Sequence, residues 1–324
     1  MLNIGLISKW HVHAGGYANQ LKEDARVKIT AVWDEDPARG AAWAQELGAA
    51  FIADYDAFLA SGIDAVVCDA PTTMHTRLLI QAARAGKHVF TEKLLAAGAK
   101  DAEAIADAVR GAGVTFTISL PCKGDPAVQY VKGLIQSGAL GRVTGARFRR
   151  SHSGVSGGWL PAYWFDLAAS GGGALMDLGA HPVYVLADFF GCPKRLAALM
   201  TNLYGTSSDE NCVAVAEFDG GILATMETAF VTDGVPDLLE VYGTAGSVFM
   251  RGGEVAQNIG SGMEIVPAEQ LPARKDSPLA QFVQACLDGA SAPAGLGLED
   301  ALVMTRIVEA AYRAQTEGKT ALLL

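Results

Sequence analysis

Asp177 and His181 stand four residues apart behind the run Gly171-Gly172-Gly173. On a helix beginning after the glycines, about 173–190, that spacing puts both side chains on one face. A carboxylate beside an imidazole can take a proton from a hydroxyl group, a step that oxidation of a secondary alcohol requires. A histidine on a helix is more often a surface or satisfied core residue. The spacing to Asp177 and the preceding glycines sets His181 apart from His88, which reads as structural, and His152, which reads as an ordinary loop residue.

A second set of chemically capable residues follows the apolar run Leu2–Ile7: Ser8, Lys9, Trp10, His11, Val12 and His13. A dinucleotide-binding loop normally has three glycines here, so that the backbone approaches a pyrophosphate at a helix N-terminus. Ser8, Trp10 and His13 stand where those glycines belong. Ser8 can donate a hydroxyl and cap the helix, and Lys9, His11 and His13 can supply charge or donors. Trp10 lacks the close backbone approach of a glycine. The next part of the signature is present: the run Val27–Trp33 ends in Asp34, placed to bond the adenosine ribose hydroxyls. With Glu35 and Asp36 behind it, this strand end repels a 2′-phosphate and favours NAD over NADP.

The elements that must hold these residues fall into two rhythms. Short apolar runs at 2–7, 27–33, 51–52, 65–67, 88–90 and 114–118 alternate with helical stretches at 14–21, 37–47, 56–60, 75–85 and 100–112. Continuous apolar strands between helices imply a parallel sheet covered on both faces, a doubly wound Rossmann domain over residues 1–120. From 121 to 324 the pattern changes. Helices near 126–137 and 173–190 are joined by strands at 143–150, 195–204, 211–218, 222–230, 238–242 and 247–250, with turn signals between them. This predicts an α+β domain on a mainly antiparallel open sheet, closed by helices near 278–288 and 298–317.

Composition narrows the class. The 324 residues are half hydrophobic, enough for two cores, and 25 Lys and Arg against 35 Asp and Glu give a net charge of −10. That sign disfavours nucleic acid and anionic membrane surfaces as partners. The five cysteines form no CxxC pair and are expected to be reduced and buried. The chain starts at once with an apolar strand and contains no run of 18 apolar residues, so it reads as a cytoplasmic protein.

Three ordered segments carry a family resemblance. Ala70-Pro71-Thr72-Thr73-Met74-His75 after the fourth strand, Ala85-Gly86-Lys87-His88-Val89-Phe90-Thr91-Glu92-Lys93-Leu94, and the Gly171–His181 segment resemble motifs of the glucose–fructose oxidoreductase / inositol dehydrogenase / rhizopine catabolism (Gfo/Idh/MocA) family. The Ser-x-x-His-x-His loop is similar to a less studied branch of it. The resemblance implies an NAD-dependent oxidoreductase acting on a sugar, cyclitol or related polyol. It implies cofactor contacts at Ala70, Pro71, Thr72, His75, Glu92 and Lys93, with Lys93 polarising the substrate oxygen, His181 accepting the proton and Asp177 orienting substrate or imidazole. Within the family the base is not always the same residue, so Lys93 can hold that role. Leu94 replaces the usual proline, and leucine does not readily hold a cis bond, which predicts a displaced Lys93. Lys123 matches a position where the family often has arginine and is a candidate substrate contact. Trp159 and Trp164, in a glycine-containing loop, fit either a stacking wall for a sugar ring or anchors beneath the loop. Arg147, Arg149 and Arg150 read as a solvated sheet face. The resemblance also implies a homodimer or homotetramer. Other readings stay open: an NAD-using glycosidase, a ligand- or NAD-sensing protein without turnover, and a metal enzyme in which His11, His13 and His181 converge. The last lacks a ligand at diagnostic spacing, and no metal is assigned.

Overall fold

Ile4, Leu6 and Ile7 have no exposed surface in the strand Leu2–Ile7 (β1), as a strand covered on both faces requires. The structure, a computed structural model, describes residues 1–260 and 262–323. After β1 come Ala14–Glu23 (α1), Val27–Trp33 (β2), Pro37–Leu47 (α2), Ala50–Phe51 (β3), Tyr55–Leu59 (α3), Ala65–Cys68 (β4), His75–Arg84 (α4), His88–Thr91 (β5), Ala99–Ala112 (α5) and Phe116–Ile118 (β6). These strands form one parallel sheet in the order β3-β2-β1-β4-β5-β6. The order reverses between β1 and β4, and such a switch point opens a crevice at the strand C-termini where ligands bind. Local chemistry sets the helix ends: Asp36 caps α2 by accepting from the Ala38 and Arg39 amides, Pro37 opens it, and left-handed Gly48 closes it.

The second half of the chain supplies Pro126–Gln136 (α6), Val143–Ser151 (β7), Leu167–Ser170 (α7), Ala180–Phe190 (α8), Arg195–Thr201 (β8), Asn211–Glu217 (β9), Leu223–Ala229 (β10), Leu238–Gly243 (β11), Gly246–Arg251 (β12), Glu254–Ile259 (β13) and Met263–Ile265 (β14). Pro278–Asp288 (α9), Leu298–Glu317 (α10) and Ala321–Leu322 (β15) follow. The second sheet runs β14-β13-β12-β11-β7-β10-β9-β8-β15, antiparallel except for the β7–β10 pair. The strand β13 carries Glu254, Gln257 and Asn258, and β14 is three exposed residues, so both lack the apolar alternation by which the others are legible.

The chain forms two compact units, Met1–Ser119 with Asp276–Leu302 and Leu120–Lys275 with Val303–Leu324. The sequence boundaries of 1–120 and 121–324 differ in one segment, because residues 276–302 return to the first unit. Phe282 and Val283 of α9 are fully buried in its core, with Phe282 5.8 Å from Phe90 between ring centroids. Burying that phenylalanine contributes roughly 2–3 kcal/mol. Ser291 and Leu296 carbonyls accept from the Phe116 and Ile118 amides, covering the β6 edge.

Two further expectations are corrected. The helix carrying His181 begins at Ala180, not near 173, and Asp177 lies in the turn before it, its amide donating to the Gly173 carbonyl at 3.1 Å. The five cysteines are free, but Cys192 is exposed, and only Cys68 and Cys212 are fully buried.

Candidate functional site

In the first unit, the loop after β1 solves the loss of its glycines by backbone conformation. Ser8 has φ +68, the left-handed region that a glycine occupies cheaply. Its Oγ accepts the Trp10 amide at 3.1 Å, and its own amide donates to the Trp33 carbonyl at 2.7 Å. The Trp10 side chain is buried. His13 is the N-cap of α1 but makes no side-chain cap bond. Gly15 and Gly16, in the first turn, have nothing within 4 Å of where a Cβ would sit. The N-terminus of α1 is therefore open, free of acidic side chains in its first turn, and suited to an anionic phosphate.

Asp34 stands at the end of β2, where the sequence places it, but its carboxylate is already engaged. Oδ2 accepts the Lys9 amide at 2.9 Å and Arg39 Nε at 3.0 Å; Oδ1 accepts the Asp36 amide at 2.8 Å and Arg39 Nη2 at 2.6 Å. Those four donors fill the carboxylate's acceptor capacity, so a ribose hydroxyl reaches it only by displacing one. Arg39 also pairs with Glu35, which places a guanidinium inside the acidic strand end that the sequence reads as hostile to a 2′-phosphate. Asp36 serves as the helix cap. Lys9 turns its ammonium to Glu46 at 3.0 Å and over the Trp43 ring.

At the other side of the switch point, Glu92 and Lys93 follow β5 and are both buried. Glu92 Oε1 lies 2.8 Å from His13 Nδ1 and accepts the Tyr17 hydroxyl; Oε2 accepts the Lys93 amide at 3.0 Å. Burial works to raise the Glu92 carboxyl. The imidazoles of His11 and His13 and the Lys93 ammonium outweigh it and hold the group well below the usual carboxylate range. Burial, with Glu92 nearby, pushes Asp69 well above its ordinary value. The Lys93–Leu94 peptide is cis, contrary to the expectation for leucine. His75 faces backbone carbonyls with both ring nitrogens: Nδ1 lies 2.9 Å from Leu94 O, and Nε2 3.0 Å from Ala70 O. It thus ties the loop after Lys93 to the end of β4 and positions that loop. Ala70, Pro71 and Thr72, all buried, form the start of the same short turn.

In the second unit, Gly173 lets the chain press against the loop at Asp209, since a Cβ there would sit 2.0 Å from the Asp209 carbonyl oxygen. The Asp209 carboxylate accepts the Gly173 and Leu175 amides at 3.0 and 2.8 Å and the Tyr312 hydroxyl at 2.7 Å. This aspartate caps the turn that delivers Asp177 and His181; no local motif betrays it in the sequence. His181 is buried, with Nδ1 2.7 Å from the Tyr184 hydroxyl and 3.4 Å from Cys122 Sγ. Tyr184 also accepts the Cys122 amide at 3.0 Å, and Arg150 donates to Cys122 Sγ at 2.7 Å. When His181 Nδ1 donates to Tyr184, Nε2 carries the lone pair that a proton acceptor needs.

Arg150 is therefore not part of a solvated face. It lies on the opposite side of β7 from Arg147 and lines a cavity of about 480 Å³ with Cys122, Asp125, Phe148, Asp237 and Arg274. Arg147 pairs with Glu227 at 2.7 Å. Lys123 reaches Asp188 at 3.3 Å, alongside Lys132 at 2.6 Å. The two tryptophans part company: Trp164 is 4% exposed, an anchor, whereas Trp159 is 55% exposed beside the His152 ring.

The sequence brings further support. Residues 4–120 match the oxidoreductase family with an NAD-binding Rossmann fold, and residues 128–249 match the Gfo/Idh/MocA C-terminal domain. The chain is similar to D-xylose 1-dehydrogenase (NADP(+)) 2 of Haloferax volcanii, 32% identical over 209 residues, 63% of this chain and 62% of that protein. It thus spans about three fifths of that relative's length. It is 26% identical to scyllo-inositol 2-dehydrogenase (NAD(+)) of Bacillus subtilis over 77% of this chain and 72% of the relative. Among solved structures it resembles GenD2 from gentamicin A biosynthesis in complex with NAD, with TM-score 0.85 and 25% identity, covering 100% of this chain and 96% of the other. With both halves matched, in the expected order and on the expected sheets, the chain belongs to the Gfo/Idh/MocA family of NAD-binding oxidoreductases.

Proposed function

We propose that this protein is an NAD-dependent dehydrogenase that moves a hydride between the nicotinamide and a CH–OH group of a sugar, cyclitol or related polyol. One observation carries the cofactor part of this reading: Ser8 keeps the left-handed backbone of the missing glycine, and the N-terminus of α1 is left open at Gly15 and Gly16. These residues fit a bound dinucleotide, with the α1 terminus facing phosphate and the Asp34–Arg39 pair at the ribose end. When bound, NAD supplies the hydride acceptor. Lys93 holds a positive charge at the substrate oxygen and stabilises developing alkoxide, and His181 accepts the hydroxyl proton at Nε2 with Tyr184 fixing its ring. Asp177 orients substrate or imidazole. We read the boundaries of the cofactor-binding part as 1–120, complemented by α9, and place the enzyme in the cytoplasm as a homo-oligomer. Retention of Lys93, Asp177 and His181 together supports turnover over a pure sensing role.

Calorimetry with NAD and NADP on the purified protein, followed by NADH formation from a panel of aldoses and cyclitols, tests the reading. Micromolar NAD binding is expected, with Lys93→Ala and His181→Ala each losing at least ~100-fold in kcat and His181→Ala binding NAD normally. No binding of either nucleotide overturns it.

A further inference from the structure

Two histidines of the loop that lacks the glycine fingerprint meet a buried carboxylate. One ring nitrogen of His11, one of His13 and one oxygen of Glu92 lie within 4.8 Å of one another. The His11 and His13 rings are 4.6 Å apart between centroids. We propose that His11, His13 and Glu92 form a binding site for a divalent first-row cation of the zinc class, inside the first unit and distinct from the His11–His13–His181 grouping that the sequence suggests.

Donor chemistry favours this ion. Two imidazoles and one carboxylate are a set that Zn²⁺ takes, and that Mg²⁺ and Ca²⁺, which seek oxygen, do not. The supporting contacts are those that a metal site needs around its ligands. Glu92 is held by the Tyr17 hydroxyl and the Lys93 amide, and Tyr17 is itself 2.7 Å from Ser119 Oγ. His11 is anchored by its amide bond to the Asp69 carbonyl at 3.0 Å. Its Nδ1 accepts the His13 amide over a long 3.2 Å, so that nitrogen is unprotonated and can exchange this bond for a cation. The Asp69 carboxyl is fully buried, and neither of its oxygens has a hydrogen-bond partner among the described residues, as beside an ion or water site. His13, half exposed, gives the ion a route from solvent. Three protein ligands leave a coordination position for water or a phosphate oxygen.

The full-length protein, stripped with a chelator and dialysed, is titrated with Co²⁺ while visible absorption is recorded, then with Zn²⁺ in competition. One equivalent of Co²⁺ is expected, with d–d bands of a nitrogen- and oxygen-ligated ion that Zn²⁺ abolishes. His13→Ala, whose side chain is half exposed so that the fold is retained, is expected to weaken Co²⁺ at least tenfold, as is Glu92→Gln. His152→Ala, in the other unit, should leave binding unchanged. Absence of stoichiometric Co²⁺ binding, or a His13→Ala titration like the wild type, overturns the proposal, as does an equal loss in His152→Ala. No nucleotide is present, so the result is independent of the dehydrogenase reading.

Discussion

Tyr184 shows how much of the chemistry rests on single atoms. Its hydroxyl is buried and serves two groups at once, the Cys122 amide and His181 Nδ1. Tyr184→Phe keeps the ring packing and takes the hydroxyl from both partners, which costs about 1–3 kcal/mol. The expected outcome is a lower denaturation midpoint together with roughly tenfold lower kcat and nearly unchanged NAD affinity; equal kcat would separate Tyr184 from the proton transfer. His88 gives a pH prediction from a different cause. Burial lowers its pKa, and its Nδ1 must stay unprotonated to accept the Thr115 amide at 2.9 Å. A histidine with a lowered folded pKa binds its proton more readily in the unfolded chain. The stability tied to it is thus complete above the unfolded value of about 6.5 and declines as pH falls below that. His88→Asn, which keeps an acceptor, should flatten the slope of unfolding free energy between about pH 6.5 and 5 by no more than one proton, about 1.4 kcal/mol per pH unit.

At the scale of elements, the sequence told its strands and helices through periodicity, and it did so best where burial is complete. The alternation of β1 through β6 was legible because both faces of that sheet are covered. What stayed hidden was contact between residues distant in sequence. Arg39 on Asp34 is one case: the pairing depends on α2 starting directly behind β2, and nothing in the acidic run Asp34-Glu35-Asp36 announces a cation. The Asp209 carboxylate under the glycine run is another, and it explains why those glycines precede a turn and not the first turn of a helix. The packing of α2 on β2 can be tested through Gly40, where a Cβ would lie 2.5 Å from Asp34 Cβ and 2.6 Å from Phe51. The Asp34 Cβ cannot move without shifting backbone, and the Phe51 ring would have to rotate out of its packing. Gly40→Ala should therefore destabilise by about 1–3 kcal/mol despite the gain in helix propensity. Because α2 carries Arg39 and Asp34 meets it, NAD affinity measured by calorimetry should fall as well. Unchanged affinity in a folded variant would detach this helix from the cofactor site.

At the scale of the whole molecule, the second sheet leaves one face open. Strands β8 and β9 bury Leu196, Ala198, Cys212, Ala214 and Ala216, while Leu199, Val213 and Val215 point outward at 76, 43 and 43% exposure. Leu199 pairs directly across from Val213, and Val215 from Ala197, so the outward side chains form a continuous apolar strip and not scattered residues. Leu223 on β10 extends it at 57% exposure. A polar pair borders the strip, since Val213 lies opposite Glu227, the partner of Arg147. Apolar patches rimmed by charge mark association surfaces, and a sheet face is symmetric enough to pair with a second copy about a two-fold axis. The expected state at micromolar concentration is a homodimer or larger. Val213→Lys with Val215→Lys puts two like charges on that strip at solvent-exposed positions, where the monomer fold loses little. Sedimentation velocity should then give a single species of 33.8 kDa in the variant and a multiple of it in the wild type. A monomeric wild type, or a variant that still associates, would move the oligomer interface away from β8 and β9.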